Sequence, residues 1–306
     1  MNDTQAAGPQ DTVEVTLGER TVRVPAGGLF DRYRMQADLD EVAKDPRVAD
    51  VEFFRGQPKA EVQSNIGPTF TPNFYYAMSN ARLTMIAPTR AIRRRLPREL
   101  EPLQIAPGYG LISVMLFRYD VADIDFYTEA AVGIAVKPAR HGRLGAVDLL
   151  AALKNGHLDS YVLSLPVNTD IAQVRGHDGY GFPKWVTEID VAIDGVSTFG
   201  RIANDDGGTD LELKAPTPRQ AKHRSGTSVS SLNSYTYFDG GWHGTYSQTN
   251  ALSSGTRMFP RDVELTLGEG RLSDDVRSLS PVRNLSLDVM TQGQLALHMP
   301  TVISIG

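Results

Sequence analysis

From Gly110 to Pro300 the chain is a succession of short apolar runs, each closed by turn residues. "GLISVMLFRYDV", "FYTEAAVGIAV", "SYVLSLPV", "WVTEIDVAI", "TDLELKA", "DVELTLG", "NLSLDVM" and "QLALHMP" all read as strands. Their side chains alternate between two faces or stay apolar throughout, and β-branched residues are frequent. After Leu100 only "AVDLLAALKNG", closed by Asn155-Gly156, and "NTDIAQVRGHD" carry helical periodicity. A βαβ array needs a helix between successive strands. This spacing therefore points to a mainly β fold, a sandwich or a barrel with a few short helices.

The N-terminal part reads differently. Residues 1–10 look like a polar, disordered tail. "TVEVTLGERTVRV" is a hairpin with Val13, Val15, Leu17, Val22 and Val24 in alternation, and "MQADLDEVAKDP" is a short helix ended by Pro46. Residues 56–72 are loop-rich. The expected organisation is an extension over 1–65 (tail, hairpin, short helix) and a main domain over 66–306. The basic run Arg90–Arg98 reads as the solvent face of a short helix capped by Thr89, with Ile92, Leu96 and Leu100 turned inward. The Ser-rich stretches 225–234 and 247–254 read as surface loops. No internal repeat is evident.

Composition narrows the chemistry. Hydrophobic residues make up 41% and charged residues 22% of 306 positions, ordinary values for a folded chain. A net charge of −5 speaks against a nucleic-acid partner. The absence of cysteine excludes disulfides, thiolate metal sites and cysteine nucleophiles. No signal-peptide pattern and no apolar run near the roughly 20 residues of a membrane span is present, so a soluble cytoplasmic protein is expected. There is no P-loop and no GxSxG elbow, and "GYGLIS" departs from GxGxxG. The six histidines lack HExxH or any close ligand spacing, so no metal is expected. They read as surface or structural residues, His177 excepted for its position.

The informative stretch is "GHDGYGFPKW", Gly176–Trp185. Pro183 cannot donate a backbone hydrogen bond and marks the start of a strand, "KWVTEIDVAI", opened by Lys184. By itself this strand reads as a lysine on a solvated face beside Glu188. The strand "DFYTEAAVGIAVK" changes the balance. Phe126, Thr128, Ala130, Val132, Ile134 and Val136 share one face, and Tyr127, Glu129, Ala131, Gly133 and Ala135 the other. Small residues beyond a carboxylate leave room, so that face lines a cavity with Tyr127 and Glu129 at one end. A buried carboxylate needs a partner, and a lysine serves.

Gly176-x-x-x-Tyr180-Gly181-Phe182-Pro183-Lys184, preceded by Tyr127-Thr128-Glu129, resembles the acetoacetate decarboxylase superfamily. The resemblance runs from about Pro72 to Pro300 and includes "RRRLPRELEP" and "LDVMTQGQLALHMP". It implies a closed, barrel-like antiparallel or mixed sheet core with the active site inside. It also implies a homo-oligomer, a small-molecule substrate and no cofactor beyond a covalent lysine Schiff base. Lys184 would attack a ketone, and the resulting iminium carbon is an electron sink for a carbanion at the next carbon. Attack requires the neutral amine, and a solution lysine with a pKa of about 10.4 is well under one part in a thousand neutral at pH 7. In the decarboxylases a second lysine beside the first supplies the cationic neighbour that lowers it.

This chain departs from that pattern. Trp185 stands at the second lysine, so desolvation by Phe182 and Trp185 would have to poise Lys184. Counted without gaps from Glu129, the second active-site glutamate falls on Val114. Counted from Pro97, the arginine for the substrate carboxylate falls on Met78, with Arg82 close by. Gly-Arg-Glu has become Gly176-His177-Asp178. The retained lysine and Tyr-Thr-Glu resemble the diverged branch that runs aldol condensation and dehydration on pyruvate-like oxo acids. The catalytic candidates are Lys184 and Glu129, and the substrate-binding candidates are Tyr127, His177, Phe182, Trp185, Met78 and Arg82. His177 serves as a possible proton carrier. The expected activity is a Schiff-base lyase acting on a small oxo acid, with an aldehyde as second partner. The alternatives are a β-oxo-acid decarboxylase and a non-catalytic small-molecule-binding relative.

Overall fold

In the computed structural model, which describes residues 11–138 and 156–305, alternation becomes strand almost throughout. The expected hairpin is β1 (Thr12–Leu17) and β2 (Arg20–Pro25), turning at Gly18, which takes a positive φ of 58°. Three short helices follow: α1 (Leu29–Tyr33), α2 (Leu39–Val42) and α3 (Glu52–Arg55). Asp38 caps α2 by accepting from the Asp40 N–H at 2.8 Å. The stretch read as loop over 56–72 instead holds a second hairpin, β3 (Ala60–Ser64) and β4 (Gly67–Thr71). Its outer positions are polar and exposed, so no apolar alternation announced it.

The remaining elements, in chain order, begin with β5 (Asn73–Pro88), α4 (Thr89–Arg93), β6 (Leu100–Pro102), β7 (Gln104–Ala106), β8 (Tyr109–Ala122), β9 (Tyr127–Pro138) and β10 (His157–Ser164). Next come α5 (Asp170–Val174) and a π-helical turn over Arg175–Gly179. The chain continues through β11 (Ile189–Ile193), β12 (Ser197–Ala203), β13 (Thr209–Pro216) and β14 (Ala221–Lys222). It ends with β15 (Val229–Phe238), β16 (Gly241–Met258), β17 (Glu264–Leu267), α6 (Arg271–Leu279), β18 (Arg283–Leu297) and β19 (Thr301–Val302).

Seven of these strands close into a mixed barrel in the order β9–β10–β15–β16–β18–β5–β8, with β8 pairing back onto β9. Only the β10–β15 pairing in this ring is parallel. A second, antiparallel sheet, β11–β12–β13–β17, packs on the outside of the barrel. The parity of β9 explains how one sheet serves two compartments. Ala130, Val132, Ile134 and Val136 face outward into the largest apolar cluster with Val191, Ile202, Leu211 and Leu213 of the second sheet. Each such buried aliphatic side chain contributes roughly 1.5–3 kcal/mol. The alternate residues are then free to line a hollow interior. The N-terminal segment closes one end of the barrel: Val22, Val24, Phe30 and Met35 pack with Tyr75, Tyr119 and Val174.

Several expectations are corrected here. The Ser-rich stretches lie largely within β15 and β16, two barrel strands, because hydroxyl side chains on the inner face remove the apolar alternation of a core strand. "NLSLDVM" and "QLALHMP" form one strand, β18, interrupted by register shifts near Met290–Gly293. Lys184 does not open a regular strand. β11 begins at Ile189, and residues before it run as an irregular segment with a single bridge, Val186 to Val167. Strands β5 and β12 and the helix α6 were not foreseen. Thr89 is the first residue of α4 rather than its cap, while Ile92 and Leu100 are buried as expected. The tail 1–10, His141 and the helix expected in "AVDLLAALKNG" fall wholly or almost wholly outside the described residues.

Candidate active site

The inward residues of the barrel enclose a cavity of about 350 Å³. Lys184 reaches it on the segment after the π turn, which is laced to the barrel by backbone bonds. Leu165 N–H donates to the Pro183 carbonyl at 3.3 Å, and Val167 N–H to the Trp185 carbonyl at 2.9 Å. Val167 in turn bridges Glu129 of β9, so the lysine segment and the carboxylate strand are held through one residue. The Lys184 ammonium donates to Glu129 Oε2 at 2.5 Å, with their side chains only 7% and 8% exposed.

Two glycines of the motif now have reasons. A Cβ on Gly176 would collide with Cδ and Cε of Lys184, so the glycine is the slot through which the lysine stem passes. Gly181 has a positive φ of 70°, which favours glycine, and the ring of Phe238 lies where its side chain would be. The π turn between them packs one extra residue into the helix end, a distortion common at functional sites.

Glu129 is held from both sides. Its Oε1 accepts from the Tyr119 hydroxyl at 3.2 Å, while the Tyr127 hydroxyl donates to that of Tyr75 at 3.0 Å. Burial above all, with the Glu129 charge acting in the same direction, pushes all three phenols far above their ordinary range. They remain protonated and act as donors. Glu129 is the sole carboxylate among the described residues that line the cavity, which also carries Arg82, Arg175 and Lys184.

Of the substrate-binding candidates, Tyr127, Phe182, Met78 and Arg82 line the chamber. Arg82 also donates through Nη2 to Asp288 Oδ2 at 3.4 Å. Two candidates lie elsewhere. The His177 side chain is 55% exposed, with Nδ1 3.1 Å from the Phe182 carbonyl, outside the chamber lining. Trp185 lies against an outer cleft beneath the Arg271 guanidinium, 5.3 Å from the ring centroid. Neighbouring residues of an extended segment point to opposite sides, so with Lys184 inside its successor is outside. The apolar residues beside Lys184 in the chamber lining are Ala131, Leu165, Tyr180 and Phe182, a buried cluster, and not the indole. Val114 faces the outer core, and the chamber positions of β8 belong to Met115, Phe117 and Tyr119.

The sequence reading missed Arg175 and Tyr180, both buried and both in the chamber lining. A signal for Arg175 existed, since it follows the buried Ile171 and Ala172 at helical spacing and so shares their apolar face. Also missed was a wall of hydroxyls. Ser160 pairs with Ser234, Ser230 with Thr249, and Leu232 with Ser247 in adjoining strands, and all six line the cavity. Opposite stand Met78, Met115 and Phe117.

The acetoacetate decarboxylase family model matches residues 65–303. The chain belongs to the acetoacetate decarboxylase family. Among solved structures, the fold is similar to that of MppR, an enduracididine biosynthesis enzyme, complexed with pyruvate. That pair has a TM-score of 0.52 at 17% identity, covering 76% of this chain and 91% of the other. MppR complexed with the condensation product of pyruvate and imidazole 4-carboxaldehyde gives 0.53 at 17%, covering 77% and 90%. An acetoacetate decarboxylase from Legionella pneumophila subsp. pneumophila str. Philadelphia 1 gives 0.52 at 13%, covering 76% and 87%. At these identities the likeness is one of fold. The comparison with curated proteins gives no significant match. Among the described residues, no helix is long and apolar enough to cross a membrane, and no cluster of His, Asp or Glu is arranged to hold a metal ion.

Proposed function

We propose that this member of the acetoacetate decarboxylase family is a Schiff-base lyase that condenses a small, pyruvate-like oxo acid with an aldehyde and dehydrates the product, or runs the reverse. The observation that carries the reading is the pairing of one lysine with one carboxylate, Lys184 with Glu129 at 2.5 Å, inside the barrel chamber. The ammonium gives its proton to Glu129 and the freed amine attacks the ketone carbon. Glu129 returns the proton as water leaves the carbinolamine, and the iminium forms. Glu129, again a carboxylate, takes a proton from the neighbouring methyl group to give an enamine, and returns it to the aldehyde oxygen as the enamine carbon adds to the aldehyde. Elimination of a second water and hydrolysis of the imine release the unsaturated oxo acid and the lysine. Overall one oxo acid and one aldehyde give one product and one water.

The lining favours this over decarboxylation. The second glutamate that the decarboxylase pattern implies is missing among the described lining residues, and Trp185 replaces the second lysine. That a protein of this fold binds pyruvate and its condensation product with an aldehyde supports the same reading. Decarboxylation is the second reading, favoured by the apolar surroundings of Lys184, since a desolvated carboxylate loses CO₂ more readily. Assaying pyruvate with an aldehyde beside acetoacetate separates the two. The expected result is a dehydrated aldol product and little CO₂. Brisk CO₂ release without condensation would put the decarboxylase first, and turnover of neither would leave a binding relative.

A further inference from the structure

One wall of the chamber carries hydroxyls for which the lysine chemistry has no use. Small barrels fill their interior with packed side chains. Here β10, β15 and β16 instead turn Ser160, Ser230, Ser234, Ser247 and Thr249 toward an open cavity. The Ser160 and Ser234 hydroxyls are 3.0 Å apart, and Ser247 donates to the Leu232 carbonyl at 3.3 Å. A hydroxyl donates once and accepts twice, so these pairings leave capacity facing the cavity. The described lining residues of these three strands include no lysine or arginine. Opposite them, Met78, Met115 and Phe117 present an apolar surface.

Asn73 of β5 is a second, independent sign. It is 2% exposed and lines the same chamber, and its Oδ1 is buried without a hydrogen-bond partner. Asn73 pairs with Leu297, and Leu297 with Ser247, so the amide lies on the barrel rung that Ser247 occupies. A buried acceptor without a donor is costly, and such a group persists where a ligand completes it. Pyruvate carries only acceptors, and so does a bare aldehyde group. The missing donor must come from a substituent of the second substrate.

We propose that the aldehyde partner is a short, unphosphorylated hydroxyaldehyde. Its hydroxyls are read by the serine and threonine wall and by Asn73, and its C–H edge lies on Met78, Met115 and Phe117. The proposal rests on the condensation reading and names the class of its acceptor. A hydroxyl suits this wall because it both donates and accepts, as each wall residue does. A phosphate would bring its charge to a wall without a cation, and a flat aromatic ring would leave most of the hydroxyls unmet. With glyceraldehyde, the pyruvate methyl carbon bonds to the aldehyde carbon and one water leaves. The product is a six-carbon unsaturated oxo acid that keeps the two remaining hydroxyls.

The test is kcat/KM for a set of aldehydes at saturating pyruvate. Glyceraldehyde should exceed propanal, the same chain without hydroxyls, by roughly 10²-fold, the scale of two added hydrogen bonds in a site built to receive them. Glyceraldehyde 3-phosphate and imidazole-4-carboxaldehyde should both fall below glyceraldehyde. Ser230→Ala combined with Thr249→Val should cut the glyceraldehyde-to-propanal ratio about tenfold or more, and Ser247→Ala alone should lower it by less. Borohydride trapping of pyruvate on each variant checks that the lysine site is intact. Equal rates with glyceraldehyde and propanal would overturn the proposal. So would a preference for the phosphorylated or the heteroaromatic aldehyde, or a ratio that survives the substitutions. Should pyruvate condense with no aldehyde, the condensation reading fails, and saturation-transfer NMR with erythritol still judges the wall. Transfer from the wild type but not from the double variant supports it; transfer from both, or from neither, rejects it.

Discussion

Lys184 and Glu129 were legible as a pair because β9 advertises its inner face. A carboxylate followed at alternate positions by small residues reads as a face beside a space; Tyr127, Glu129 and Ala131 do line the chamber, whereas Gly133 sits against Met115 and Ala135 is outside the lining, and a buried carboxylate calls for a cation. The structure puts that cation 2.5 Å away. His177 and Trp185 were misplaced because sequence adjacency says nothing of direction: one residue along an irregular segment is enough to leave the chamber. Glu129→Gln keeps shape and an oxygen for Tyr119 but removes the base proposed to deprotonate the amine. Turnover should fall by roughly 10²–10⁴-fold, more than any accompanying loss of folded protein accounts for. Steady-state kinetics beside thermal unfolding checks this, and an unchanged rate would remove Glu129 from the proton path.

At the scale of elements, the strands that escaped detection are those whose two faces serve different environments. β15 and β16 turn Ser230, Ser234, Ser247 and Thr249 toward the cavity, which inverts the pattern expected of a core strand and reads as loop. The π turn was seen only as the end of a helix, and its role depends on space that no sequence pattern records. That space is filled by the lysine stem against Gly176. Gly176→Ala places a methyl group on the path of Cδ and Cε, so the amine must move while the surrounding backbone bonds remain. Imine formation should slow by about 10²-fold or more, the cost of a misplacement of about 1 Å at a reacting group. The half-time of borohydride trapping, with circular dichroism to confirm the fold, is the measurement.

Across the whole molecule, a barrel hollow inside is stable because its outer face and one end are covered. The second sheet covers the outside, and the N-terminal segment is pinned at the end by a buried ion pair, Lys59 with Asp123 at 2.5 Å. Asp123 also accepts from the Phe74 N–H at 2.6 Å and the Tyr76 hydroxyl at 2.7 Å. Asp123→Ala therefore strands three donors and should cost about 3–5 kcal/mol in urea unfolding. A loss below about 1 kcal/mol would show that this anchor is dispensable. Many short strands left a sandwich or a barrel open and the family resemblance implied the barrel, but its coverage by a separate sheet followed from neither, since β11, β12, β13 and β17 look no different in sequence from barrel strands. The claim on which the functional account rests is covalent, and peptide mapping after borohydride reduction in the presence of pyruvate tests it directly. The expected result is a stable adduct on the peptide containing Lys184 and none in Lys184→Ala. An adduct on another lysine, or none with any oxo acid, would contradict it.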